Sequence, residues 1–151
     1  MNGYLLDTNV VSTLAPSKRK TSAGLLAWLE RIDGEGRAFL SVVTMLELEK
    51  GISLLEHKRA AAKAAELRRW FIGLAAGFAD KILPLDPDAA ALAGQLEAKA
   101  IHSGHNPGMA DAAIAGIAKA RGLIIVTGNA KHFHPFEIAV VTPDDIVNGR
   151  T

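Results

Sequence analysis

The chain has 151 residues, a length that suits one domain, and 49% of them are hydrophobic, enough for a sizeable core and too many for a disordered chain. A net charge of +1 confines any nucleic-acid surface to a local patch, and 5% aromatic residues are too few for a base-stacking platform as the main binding device. Cysteine is absent, which excludes disulfides and thiolate metal sites; no apolar run has the length of a membrane span and no signal peptide is evident, so a cytoplasmic setting is expected.

In chain order, residues 3–6 form a first strand candidate, and Thr8 to Leu14 a short helix stopped near Pro16. Lys18, Arg19 and Lys20 make a small basic cluster in a loop, either a solvated turn or a phosphate contact. Thr21 or Ser22 caps a helix with an apolar stripe at Leu25, Leu29 and Ile32. Residues 38–42 make a second strand. Ser41 or Thr44 opens a helix with its stripe at Met45, Leu48, Ile52 and Leu55. Residues 58–81 are rich in helix formers and carry Lys58, Arg59, Lys63, Arg68 and Arg69, so these two helices are expected to form a projecting hairpin.

Ile82 to Leu85 is a short third strand whose Pro84 assigns it to an edge or a strand end. Asp86-Pro87 starts a helix through Leu92, Leu96 and Ala100. Residues 102–108 read as a loop, and residues 109–120 as a small-residue helix with Gly122 as its C-terminal cap. Residues 123–127 are a continuous apolar run, as in a strand covered on both faces. A one-turn element near Lys131, a last strand at 138–141 and a helix opened by Pro143 complete the chain. Strands alternate with helices throughout, which predicts a single α/β domain, 1–151, with a mainly parallel sheet of four to five strands.

Four polar residues stand at element boundaries. Asp7 ends the first apolar run and is either the cap of the next helix or a site residue at the carboxyl end of a strand. Glu47 lies in Thr44-Met45-Leu46-Glu47, a possible capping box, yet it borders the apolar stripe. Asp111 shares a helical face with Ile114, Ala115 and Ala118, where a surface acid has no reason to be. Asn129 follows the strand that ends at Thr127, as a cap or as a neutral oxygen ligand. Gathered carboxylates repel one another, and a divalent cation relieves this; an all-oxygen set favours Mg2+ or Mn2+ over Zn2+. His102 with His105, and His132 with His134, are two loop pairs without a dense ligand set around them.

Four segments carry a family resemblance: Leu5-Leu6-Asp7-Thr8-Asn9, Thr44-Met45-Leu46-Glu47-Leu48-Glu49-Lys50-Gly51, Met109-Ala110-Asp111-Ala112-Ala113-Ile114-Ala115, and Ile125-Val126-Thr127-Gly128-Asn129-Ala130-Lys131-His132-Phe133. In this order and spacing the chain resembles the PIN-domain ribonucleases, in particular the VapC-type toxins of bacterial toxin–antitoxin pairs. The resemblance implies a Rossmann-like α/β/α fold and Mg2+- or Mn2+-dependent endonuclease action on RNA. It matches Asp7, Glu47 and Asp111 to the core acids that hold metal, Asn129 to a fourth catalytic position, Thr127 to a hydroxyl that steadies the cluster, and Thr8 and Asn9 to supporting positions. Gly128 stands where a basic residue is common in the family and His132 where an acid is common. The same resemblance implies a small antitoxin whose tail covers the acidic pocket, and a homodimer. Lys18, Arg19 and Lys20 are then candidates for RNA contact.

Overall fold

The computed structural model describes residues 2–16 and 21–151, so the basic cluster Lys18, Arg19 and Lys20 lies outside the described residues. Five strands form one sheet: β1 (Tyr4–Leu6), β2 (Ala38–Ser41), β3 (Ile82–Leu83), β4 (Ile124–Val126) and β5 (Val140–Val141). Their order is β3-β2-β1-β4-β5, and every neighbouring pair is parallel. The predicted α/β class with a parallel sheet is therefore the observed one. The strands at 124–126 and 140–141 are shorter than the apolar runs that announced them, and Pro84 falls just beyond edge strand β3.

Alternation along the central strands divides the core into two. Leu5 and Ile125 face a cluster with Leu96, Ile114, Ile117, Phe133 and Phe136. Tyr4, Leu6 and Val126 face another with Val10, Val11, Leu25, Leu29, Ile32 and Leu40. A strand sends successive side chains to opposite faces, so apolar residues at every position require helices on both sides.

The first face is covered by α5 (Pro87–His102) and α6 (Met109–Arg121). These helices pack so closely that a Cβ on Gly116 would lie 2.5 Å from the Ala89 carbonyl oxygen and 2.7 Å from the Ala93 Cβ. Gly122 ends α6 at φ +64, the left-handed conformation that glycine adopts without strain. The other face holds α1 (Thr8–Ser12), α2 (Ala23–Gly34) and α8 (Pro143–Val147).

The helix predicted from residue 58 begins later. Helix α3 (Val42–His57) ends in a turn with Arg59 at φ +58, and α4 then runs Ala61–Phe78 into a 3-10 turn. The hairpin of α3 and α4 does not simply project: Trp70, Leu74 and Phe78 pack against the second core cluster. Arg68 bonds Glu49 and Glu56 of α3, so part of the basic face of α4 is neutralised within the hairpin. Among the described residues, no helix is long and apolar enough to cross a membrane.

The strand order reverses between β1 and β4: connections from β1 proceed to one side, and the chain then crosses to β4 and β5. Open α/β sheets form a crevice at such a point, beyond the carboxyl ends of the strands. Asp7 directly follows β1 and Thr127 directly follows β4, which brings both to that crevice.

Candidate active site

Asp7 is both a cap and the centre of a polar network. Its backbone N–H donates to the Val126 carbonyl at 2.9 Å, which ties it to the end of β4. Its Oδ1 accepts from the Thr8 N–H at 2.8 Å, at the start of α1. Its Oδ2 accepts from Thr127 Oγ1 at 2.7 Å and from Asn9 Nδ2 at 2.9 Å. Asp7 is buried, and all of these donors are neutral. Burial holds its carboxyl above the usual aspartate range; the bonds from Thr127, Thr8 and Asn9 oppose this, and the charge of Glu47 adds to it.

Asn9 and Thr127 form the brace behind the acid. Asn9 Nδ2 also donates to Thr127 Oγ1 at 3.1 Å, while Asn9 Oδ1 accepts from the Gly128 N–H at 2.9 Å. Thr127 Oγ1 further accepts from the Asn129 N–H at 3.0 Å. The hydroxyl of Thr127 therefore uses its one proton on Asp7 and both lone pairs on amides. Asn129 stands at the N-cap position of α7 (Ala130–Phe133), but its side chain makes no capping bond and borders the cleft.

Glu47 lies in the second turn of α3, and the predicted capping box does not form. Ser41 is the cap, accepting from the Thr44 N–H at 3.1 Å. Glu47 Oε1 instead accepts from Thr8 Oγ1 at 2.7 Å. Since Thr8 has one hydroxyl proton, its 3.0 Å contact with Thr44 Oγ1 makes Thr44 the donor there. Thr44 is 0% exposed and accepts a weaker bond from Ser41 Oγ at 3.5 Å. A run of three hydroxyls thus ends on Glu47. Sequence reasoning took Ser41 and Thr44 only as helix starts; the available signal was two hydroxyl residues between a buried strand and an acid.

Asp111 stands in the first turn of α6, after Gly108, with Ile114, Ala115 and Ala118 buried on its helix. Its side chain is half-buried, and His132 Nδ1 is 3.7 Å from its Oδ2, beyond hydrogen-bond range. Burial raises its pKa, the charges of Asp7 and Glu47 raise it further, and His132 works in the opposite direction.

These residues border one cleft of about 300 Å3, lined by Asp7, Glu47, Asp111 and Asn129 with Thr8, Asn9, Ser12 and His132 between them. Among the described residues, no lysine or arginine contributes to that lining. The set is open: among the described residues, no three His, Asp or Glu side chains are gathered tightly enough to hold a metal ion on their own. This applies to the histidine pairs as well. His132 joins the acidic cleft, His105 borders the adjoining one, and His102 and His134 border neither.

The PIN-domain family model matches residues 4–135 of the chain. Toxin FitB of Neisseria gonorrhoeae is 33% identical over 140 residues, 92% of this chain and 96% of that protein. The tRNA(fMet)-specific endonuclease VapC of Shigella flexneri is 32% identical over 133 residues, 86% of this chain and 89% of that one. Among solved structures, FitAcB from Neisseria gonorrhoeae matches with a TM-score of 0.78 at 33% identity, covering 93% of this chain and 97% of its counterpart. DNA-bound VapBC from Salmonella typhimurium matches with a TM-score of 0.69 at 27% identity, over 95% and 99%.

Proposed function

The chain belongs to the PIN-domain family, and from that premise we propose that it is a divalent-metal-dependent endoribonuclease, the toxin of a toxin–antitoxin pair. One observation carries the chemistry: three carboxylates from three separate elements border a single cleft that, among the described residues, no lysine or arginine lines. Burial first, and the neighbouring carboxylate charges after it, raise the pKa values of Asp7 and Asp111. A divalent cation offsets the gathered negative charge, and an all-oxygen donor set without cysteine suits Mg2+ or Mn2+. Asp7, Glu47 and Asp111 would hold it, in part through waters, since the carboxylate set is open. When bound, such an ion lowers the pKa of a water and offsets charge developing on the phosphate.

The remaining residues have supporting roles in this reading. Thr127, Asn9 and the Thr8 amide fix both oxygens of Asp7, so that its ionised form is oriented before substrate arrives. The Thr8 hydroxyl aims Glu47 by occupying one lone pair on Oε1. Asn129 offers a neutral amide to a water or a phosphate oxygen at the rim. Lys18, Arg19 and Lys20 are proposed as guides for the RNA strand. The name Toxin FitB, and the 33% identity behind it, supports the toxin role and with it a small antitoxin partner; a homodimer is proposed alongside.

The test is Mn2+-dependent cleavage of RNA by the purified protein and by Asp7→Asn. Cleavage by the first and not by the second is expected; equal cleavage by both would refute the assignment. A second reading, a non-catalytic RNA- or partner-binding module, draws on the open carboxylate set and on Asn129 as an uncharged fourth member. Titration calorimetry with Mn2+ separates the two, because such a module shows no binding that depends on Asp7.

A further inference from the structure

Beside the acidic cleft lies a second one of about 260 Å3, and Asp111 and His132 belong to both. Its other walls differ in chemistry from the first. Lys131 supplies a cation, His105 a planar ring, and Asn106 and Pro107 the surrounding loop. Lys131 has no acid within ion-pair distance among the described residues, and its side chain belongs to an exposed residue. Among the described residues it is the one lysine or arginine lining either cleft. The aromatic residues near this end of the molecule, Phe133 and Phe136, are buried in the core, which leaves imidazole as the flat surface open to a base.

A polyanion that presents one phosphate to the acid cluster must place the next phosphate somewhere favourable. The two clefts share a wall at Asp111 and His132, so a strand that crosses this wall from the acid cluster meets Lys131. The cleft is smaller than the roughly 300–1,000 Å3 of drug-sized pockets, the scale of a single base rather than of a paired helix. From this geometry we propose that the second cleft is the subsite for the nucleotide next to the cleaved phosphate. Lys131 takes its phosphate oxygen, and the His105 imidazole stacks on its unpaired base. The substrate is therefore single-stranded at that position. This assignment rests on the ribonuclease reading above and adds to it a direction for the strand, from the acid cluster across Lys131 toward residues 105–107.

The experiment measures binding separately from turnover. Asp7→Asn serves as the non-cleaving background, and a fluorescein-labelled single-stranded RNA of about 12 nucleotides is followed by anisotropy across a salt series. Adding Lys131→Ala is expected to weaken binding by about fivefold or more and to reduce the slope of log affinity against log salt by about one. Lys119→Ala, an exposed lysine near the far end of α6, leaves both unchanged. Adding His105→Ala is expected to weaken binding by a similar factor, and His105→Phe to restore it, as stacking requires. Equal affinity and slope with and without Lys131, on a protein that still cleaves RNA in its unsubstituted form, overturns the subsite and leaves the ribonuclease reading intact. Lys131-dependent binding of duplex RNA as tight as that of the single strand overturns the stacked base. Failure of the unsubstituted protein either to bind or to cleave RNA overturns the ribonuclease reading and the subsite with it.

Discussion

Asp7 and Asp111 share one cleft and one sign of charge, yet their surroundings are opposite. Asp7 is 6% exposed and both of its oxygens are taken up by neutral donors from β1–α1 and β4. The Asp111 side chain is 28% exposed, and the His132 ring 3.7 Å away is itself half open to solvent. The first carboxylate is fixed before any ligand arrives; the second can adjust. On the proposed reading, a site that holds an ion and admits an RNA strand gains from one rigid and one compliant acid, because preorganisation serves orientation and compliance serves entry.

The largest test of this contrast is Asp7→Asn. It is expected to reduce Mn2+-dependent cleavage by more than about 100-fold, beyond the usual loss from a supporting residue. A comparable loss from Asp111→Asn would mean that the two acids are equivalent in the reaction, and a smaller one would sharpen the distinction. Removing the brace comes next. Thr127→Val leaves Asp7 Oδ2 with Asn9 as its remaining donor and strands the Asn129 N–H. It should destabilise the protein by about 1–3 kcal/mol in chemical denaturation and lower Mn2+ affinity about 10- to 100-fold in calorimetry.

The pH response of stability tests both acids together. Each has a folded-state pKa above its ordinary value, so the folded protein binds more protons than the unfolded chain in that interval. Their contribution to stability is fully present below the unfolded aspartate pKa, near about pH 4, and is lost as pH rises through the folded values. Melting curves across this range should therefore show the pH dependence flatten in Asp7→Asn. A dependence of the opposite sign that vanishes with the substitution would contradict the raised pKa. Mn2+ added at neutral pH should raise the midpoint, and raise it less in acid, where the carboxyls hold protons. The smallest effect belongs to His132→Ala: a change within about 0.5 kcal/mol in stability, as for an exposed residue. A large loss would show the Asp111 side to be as rigid as the other.

Much of this arrangement was legible in the sequence because it rests on local rules. The apolar run from Leu123 to Val126, closed by Thr127, announced a strand covered on both faces, and the two core clusters on either side of Ile125 and Val126 are the reason. Asp111 was legible from its helical face. Asp7 was ambiguous between cap and site, and both descriptions hold at once, since one oxygen caps α1 while the other meets Thr127. What escaped was tertiary. Thr44-x-x-Glu47 has the pattern of a capping box, but Ser41 starts the helix three residues earlier and frees Glu47 for Thr8, a partner 39 residues away in the chain. The helix formers and basic face of residues 58–81 predict a projecting hairpin of α3 and α4. Trp70, Leu74 and Phe78 of α4, packed against the second core cluster, decide its position instead.

The bond from Thr127 to Asp7 spans 120 positions of sequence. A chain still being synthesised carries Asp7 and Glu47 long before it carries Asp111, and the brace on Asp7 does not exist until β4 has been made and has paired beside β1. If the acid cluster cuts RNA, the growing polypeptide passes most of its time on the ribosome without a finished cutting edge. The order of the strands in the sheet then acts as a delay on the activity, built into the sequence of synthesis itself.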